Sequence, residues 1–102
     1  MATLITTNGE IKDITPKNNK DGFTLKELYG HIGNGCDVVE VAFIFIDDND
    51  KKERMVLVDE EGLMRQPKQP FNWKASSDLM AKYHQPIYLY GNVVICDNKE
   101  FQ

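Results

Sequence analysis

An α+β architecture follows from three stretches of the chain: a mainly antiparallel sheet with two helices on one of its faces, in the order ββαββαβ. The first stretch is residues 38–63, VVEVAFIFIDDNDKKERMVLVDEEGL, in which two apolar runs, 38–46 and 55–58, flank a strongly polar connection. Both runs are rich in β-branched and aromatic residues and too short for amphipathic helices, so they read as a β-hairpin. The second is Thr24-Leu25-Lys26-Glu27, a capping box that opens a helix. The third is Asn8-Gly9 between short apolar stretches, a strong short-range hairpin signal because a type I′ turn needs two positive φ angles.

In chain order, the first hairpin spans residues 4–14, with Thr7 opposite Glu10 and Ile5 opposite Lys12. That register puts Ile5 and Ile14 on one side and Leu4 and Ile11 on the other, so the unit is expected at a sheet edge. Residues 16–22 are polar turn formers and read as a loop. A helix over 25–32 follows, with Thr24 as N-cap, Phe23 packing on Leu28 as a staple and Gly33 as the stop. Its inner face is Leu25, Leu28, Tyr29 and Ile32. The run 38–46 is apolar on both faces, Val39, Val41, Phe43 and Phe45 against Val38, Ala42, Ile44 and Ile46, which suits a central strand. Glu40 among them must reach solvent or a partner. Asn72 is the expected N-cap of a second helix over 73–84, packed through Ala75, Leu79 and Tyr83 and ended by Pro86. Residues 87–97 form the last strand, in which Gly91-Asn92 reads equally as a tight turn or a bulge.

At 102 residues the chain reads as one domain, 1–102, long enough to bury roughly two-thirds of its unfolded surface without staples. Its 41% hydrophobic and 27% charged residues are those of an ordinary globular protein. No apolar run approaches the roughly 18 residues of a membrane helix. Met1-Ala2-Thr3-Leu4 lacks the basic and apolar segments of a signal peptide, so a cytoplasmic address is expected and no membrane partner. Cys36 and Cys96 are then expected as reduced, partly buried thiols. Neither has a second ligand at metal spacing, and no metal or cofactor is expected. A net charge of −4 and scattered lysines argue against a nucleic-acid partner.

The order of landmarks carries a resemblance. Leu25, Glu27 and Leu28 precede Val38-Val39-Glu40-Val41 and then Val58-Asp59-Glu60-Glu61-Gly62-Leu63. Asn72 and Ala75 follow, then Ile87, Gly91 and Val93-Val94-Ile95. This pattern resembles the small family called domain of unknown function 3846, found in bacteria, phages and mobile elements, over most of the chain. The chain departs from it at residues 68–71 and in the long acidic connection 47–52. The resemblance implies an accessory protein of a bacterium or mobile element, and brings no activity or site residues.

Three groups of residues invite a site. Asp59-Glu60-Glu61 could pair carboxylates, but a strand leaving a sheet through Asp-Glu-Glu-Gly is the simpler reading, with Gly62 at positive φ and the acids solvated. The connection 47–50 has acids but neither the alternating ligands, the glycine nor the distal Glu of a calcium loop, and reads as a solvated hairpin tip. Arg65, Asn72, Trp73, Tyr83 and His84 could line a pocket for a small, nucleotide-like molecule, or else close a core rim. No nucleophile, base and orienter are legible together. The leading expectation is therefore a non-catalytic interaction protein that binds another protein and is open to homodimerisation through an apolar sheet face. A nucleotide-like ligand binder and an acidic DNA mimic that inhibits a host defence enzyme are the alternatives.

Overall fold

The computed structural model describes residues 2–17 and 22–97. Strands β1 (Ala2–Ile5), β2 (Ile11–Ile14), β3 (Val39–Ile46), β4 (Glu53–Asp59) and β5 (Val93–Asp97) form one sheet in the order β2-β1-β5-β4-β3, antiparallel throughout. Helix α1 (Leu25–Ile32) connects β2 to β3, and α2 (Trp73–Tyr83) lies between β4 and β5. The expected class and element order both hold. Of the expected loop 16–22, residues 18–21 lie outside the described residues.

The first hairpin is one residue out of its expected register. Ile5 faces Ile11 and Leu4 faces Lys12. Asn8-Gly9 does not make a two-residue turn: the Gly9 N–H donates to the Thr6 carbonyl at 3.0 Å, and the Thr6 N–H donates to the Glu10 carbonyl at 2.9 Å. The loop is Thr7-Asn8-Gly9 with Gly9 at φ +90°, the three-residue alternative in which a turn is closed by one left-handed residue. The shift puts Ala2, Leu4 and Ile14 on one side of the sheet. β2 is an edge strand, as expected.

Helix α1 forms as its capping box dictates. The Glu27 N–H donates to Thr24 Oγ1, and Glu27 Oε1 accepts from the Thr24 N–H, both at 3.1 Å. Phe23, Leu28 and Ile32 are buried together, but Leu25, expected on that face, is half exposed. Helix α2 begins at Asn72, whose side chain accepts from the Ala75 N–H, and ends at His84 in the left-handed region. Ala75 and Leu79 are buried, with Met80 and Tyr83 packed against them.

The two helices do not share a face. α1 packs with Ala2, Leu4, Met55, Leu57, Val94 and Cys96. α2 packs with Ile5, Val56, Val58 and Val93 from the other side. The reason lies in β4 and β5, whose consecutive residues are buried on alternate sides, so each side needs its own cover. The doubly apolar character expected to make residues 38–46 central belongs in effect to these two strands.

β3 is instead the outer strand beyond β4. Its register with β4 shifts between Val41 and Phe43, so Ala42 is the extra residue of a bulge. Val39 packs toward the α1 side, whereas Phe43 and Phe45 pack toward α2. The four residues expected on one face are thus divided between two. The last strand is also shorter than 87–97. Residues 88–90 fold back on the segment before α2, through a Phe71–Tyr90 bridge and an Asn72 N–H donated to the Leu89 carbonyl at 2.8 Å. Gly91-Asn92 is the corner from that segment into β5, with Gly91 at φ +80°.

Candidate functional site

The five side chains expected around a ligand do not converge. Asn72 is fully buried and spent on the fold: its Nδ2 donates to the carbonyls of Ile5 and Gly91 at 2.9 Å each, and its Oδ1 caps α2. Trp73 is half exposed beside the Gly9 turn. Tyr83 packs on Phe43 and Phe45, with centroids 5.6 and 5.3 Å away. His84 is exposed and closes α2, its N–H donating to the Met80 carbonyl. Trp73 and Tyr83 stand at opposite ends of that helix, about 15 Å apart at its rise of about 1.5 Å per residue. Arg65 belongs to a separate cluster.

That cluster is a polar hub where β4 ends. Asp59 is 3% exposed rather than solvated, and Gly62 has φ −54° rather than a positive value. Asp59 Oδ1 accepts from the Glu61 N–H at 2.9 Å; Oδ2 accepts from Arg65 Nε at 2.7 Å and from Gln69 Nε2 at 3.0 Å. Arg65 Nη2 also reaches Asp37 at 2.7 Å, and Gln69 Nε2 donates to the Gly33 carbonyl. Desolvation alone would lower the Arg65 pKa, but the hydrogen bond it donates to Asp59 and the charges of Asp59 and Asp37 together outweigh that and hold the guanidinium above its ordinary value. Gln69, buried between Pro67 and Pro70, carried no signal in the sequence. Both carboxylate oxygens are engaged within the fold, by three hydrogen bonds in all, so the hub reads as a clamp on residues 60–71.

What the clamp positions is a groove beside β3. A cavity of about 220 Å³ is lined by Glu40, Ala42, Val58, Glu60, Leu63, Tyr88 and Tyr90 among others. Leu63 and Tyr88 are 64% and 65% exposed, so its walls are accessible side chains. Gly62 allows the approach: a Cβ there would lie 3.2 Å from the Asp59 carbonyl and 3.3 Å from that of Tyr90. The Phe71 ring meets Tyr88 at a tilt and Tyr90 edge-on, with centroids 6.5 and 5.7 Å away. Along the adjoining edge, Val41, Ile44 and Ile46 are exposed, and Glu40 reaches solvent.

Three other places were candidates for chemistry. At the hairpin tip the acids turn inward to the chain: Asp47 Oδ1 accepts from the Asn49 N–H, Asp50 Oδ1 from the Lys52 N–H, and both carboxylates face Arg54. Among the described residues no three His, Cys, Asp or Glu side chains gather as a metal ion would require. The thiols are buried and form no disulfide, and desolvation, with the charge of Asp59 second, pushes Cys36 from 9.0 up to about 11. A wider cleft of about 720 Å³ lies along α1 near Lys17, Lys26 and His31. Its one acid, Glu27, is occupied by the N–H groups of Lys17 and Thr24, which with lesser causes lower its pKa.

The fold and site together define a small antiparallel α+β protein in which a clamped loop stands beside an apolar outer strand, β3. No family model, curated protein or solved structure matches the chain. No helix among the described residues is long and apolar enough to cross a membrane.

Proposed function

We propose that this chain is a non-catalytic interaction module that docks a protein partner along the outer edge of β3 and the adjoining groove. One observation carries the reading. The longest apolar strand of the sheet has β4 as its only strand neighbour among the described residues, and it leaves Ile44 and Ile46 about half exposed. Its eight residues, VEVAFIFI, contain no Lys, Arg or Pro. Exposed edges are ordinarily blunted by such residues, because unpaired N–H and C=O groups invite another chain. The bulge at Ala42 and the single Glu40 are the only such devices on this strand, and the bulge also turns Phe43 and Phe45 inward. On the resemblance to domain of unknown function 3846, the role is that of an accessory protein of a bacterium or mobile element.

The alternatives have less behind them. A nucleotide-like ligand would need Arg65, Asn72, Trp73, Tyr83 and His84 on one surface; the groove falls below the roughly 300 Å³ at which small-molecule sites begin, and the wider cleft along α1 is lined by none of the five. A DNA mimic would need Asp59 and the tip acids in an exposed array, whereas Asp59 is buried and Asp47 and Asp50 face Arg54. A photo-crosslinking amino acid at Ile44, compared with one at the equally exposed Leu25, tests the proposal in cells. A discrete protein adduct from position 44 and none from position 25 is expected. Matching adduct patterns at both positions would contradict a role for the β3 edge.

A further inference from the structure

Resting on the edge-docking reading just given, we infer that the segment received by β3 is an extended, lysine- or arginine-bearing strand of another protein, with one basic side chain seated in the groove beside Glu40. Backbone pairing alone would accept any extended chain, so side-chain chemistry must decide between occupants. The groove is lined by Tyr88, Tyr90 and Leu63, with Glu40, Glu60 and the buried Asp59. Neither the Glu40 nor the Glu60 carboxylate is held in an ion pair among the described residues. That combination suits a long basic side chain, whose aliphatic stem covers rings and whose charged end meets the acids. The volume is sufficient for one such side chain.

A second copy of this chain is the obvious competitor, and charge disfavours it. A two-fold β3–β3 pairing would bring the hairpin tip of one copy, with Asp47, Asp48 and Asp50, against the Asp37, Glu40 and Glu60 end of the other, and would do so twice. Lys51, Lys52 and Arg54 offset part of the charge at the tip and Arg65 that of Asp37, but among the described residues neither Glu40 nor Glu60 has a cationic partner. Like charges facing across strands destabilise the pairing, whereas a basic strand reverses the sign of that term.

The test uses three fluorescein-labelled eight-residue peptides, alternating lysine–valine, serine–valine and glutamate–valine, titrated with the full chain and followed by anisotropy. The lysine peptide is expected to bind at least about tenfold more tightly than the serine peptide, with the gap shrinking as salt rises. In a Glu40→Lys, Glu60→Lys variant, shown by thermal melting to be folded, the preference should pass to the glutamate peptide. Should that variant fail to fold, the wild-type ranking and its salt dependence decide alone. Equal binding of lysine and serine peptides would overturn the basic partner while leaving edge docking intact. A dimer in sedimentation that Ile44→Lys dissolves would assign the edge to a second copy and overturn the inference. Binding of no peptide, with a monomeric chain, would end both.

Discussion

The carboxylate of Asp59 accepts three hydrogen bonds while withdrawn from solvent, and the loop that walls the groove depends on them. Asp59→Asn replaces one acceptor by a donor facing Arg65 and Gln69, and is expected to cost about 2–4 kcal/mol in urea unfolding. Glu60→Gln next to it, on an exposed side chain, should stay within about 0.5 kcal/mol. Sequence alone gave neighbouring acids no reason to differ, because the partners that bury Asp59 come from an aperiodic segment six and ten residues on. Gly91 is a second such point. At φ +80°, a Cβ there would overlap the Gln69 side chain, so Gly91→Ala should lose about 2–4 kcal/mol through backbone strain and overpacking together. Cys36 makes a pH-dependent prediction. Its folded pKa lies above its ordinary value, so between about pH 9 and 11 the native state holds the proton that the unfolded chain releases. Its contribution to stability is complete below pH 9 and should fall away as pH rises through that window, which chemical unfolding of wild type against Cys36→Ala would detect.

Local elements were readable to the extent that their signals were local. Helix α1 was placed at 25–32 because Thr24, Glu27 and Gly33 act within one turn of its ends, and those bounds are observed. Asn8-Gly9 marked the turn but not its length, since the same pair serves a two-residue and a three-residue loop, and the one-residue difference moved the register of β1 and β2. The place of β3 at the edge differs from its expected central place for a related reason. A bulge leaves no mark in apolar periodicity, and the strand's composition is the same whether its outward residues meet a neighbour or solvent. The bulge predicts its own test. Deleting Ala42 removes the extra residue while Val41 stays opposite Leu57 and Phe43 opposite Val56, so the strand alternates without a break and Phe43 and Phe45 keep the α2 side, against Tyr83. A cooperative thermal melt and the near-ultraviolet dichroism of the packed rings should both be retained. Loss of that dichroism in the deletion variant would contradict the placement of the extra residue at Ala42.

Across the molecule, the ββαββαβ order was legible, but not the distribution of its layers. A chain that alternates strands and helices in this order can place both helices on one side or divide them. The deciding fact is that Met55–Leu57 and Val56–Val58 are both buried pairs, on opposite sides of one strand. Once both inner faces are covered by α1 and α2, the largest run of exposed apolar residues on the sheet lies at the edge, on β3, with Leu63 and Tyr88 near it. The edge is therefore where an association surface must be sought, and not on an open sheet face. Amide hydrogen exchange by nuclear magnetic resonance, with and without the lysine–valine peptide, addresses this most directly. Without peptide, alternate amides of residues 38–46 should exchange far faster than those of β4 and β5; with peptide, those same amides should be protected and the shifts of 88–90 should move. Uniform protection along β3 in the free protein, or peptide-induced changes centred on residues 15–31 instead, would contradict the account.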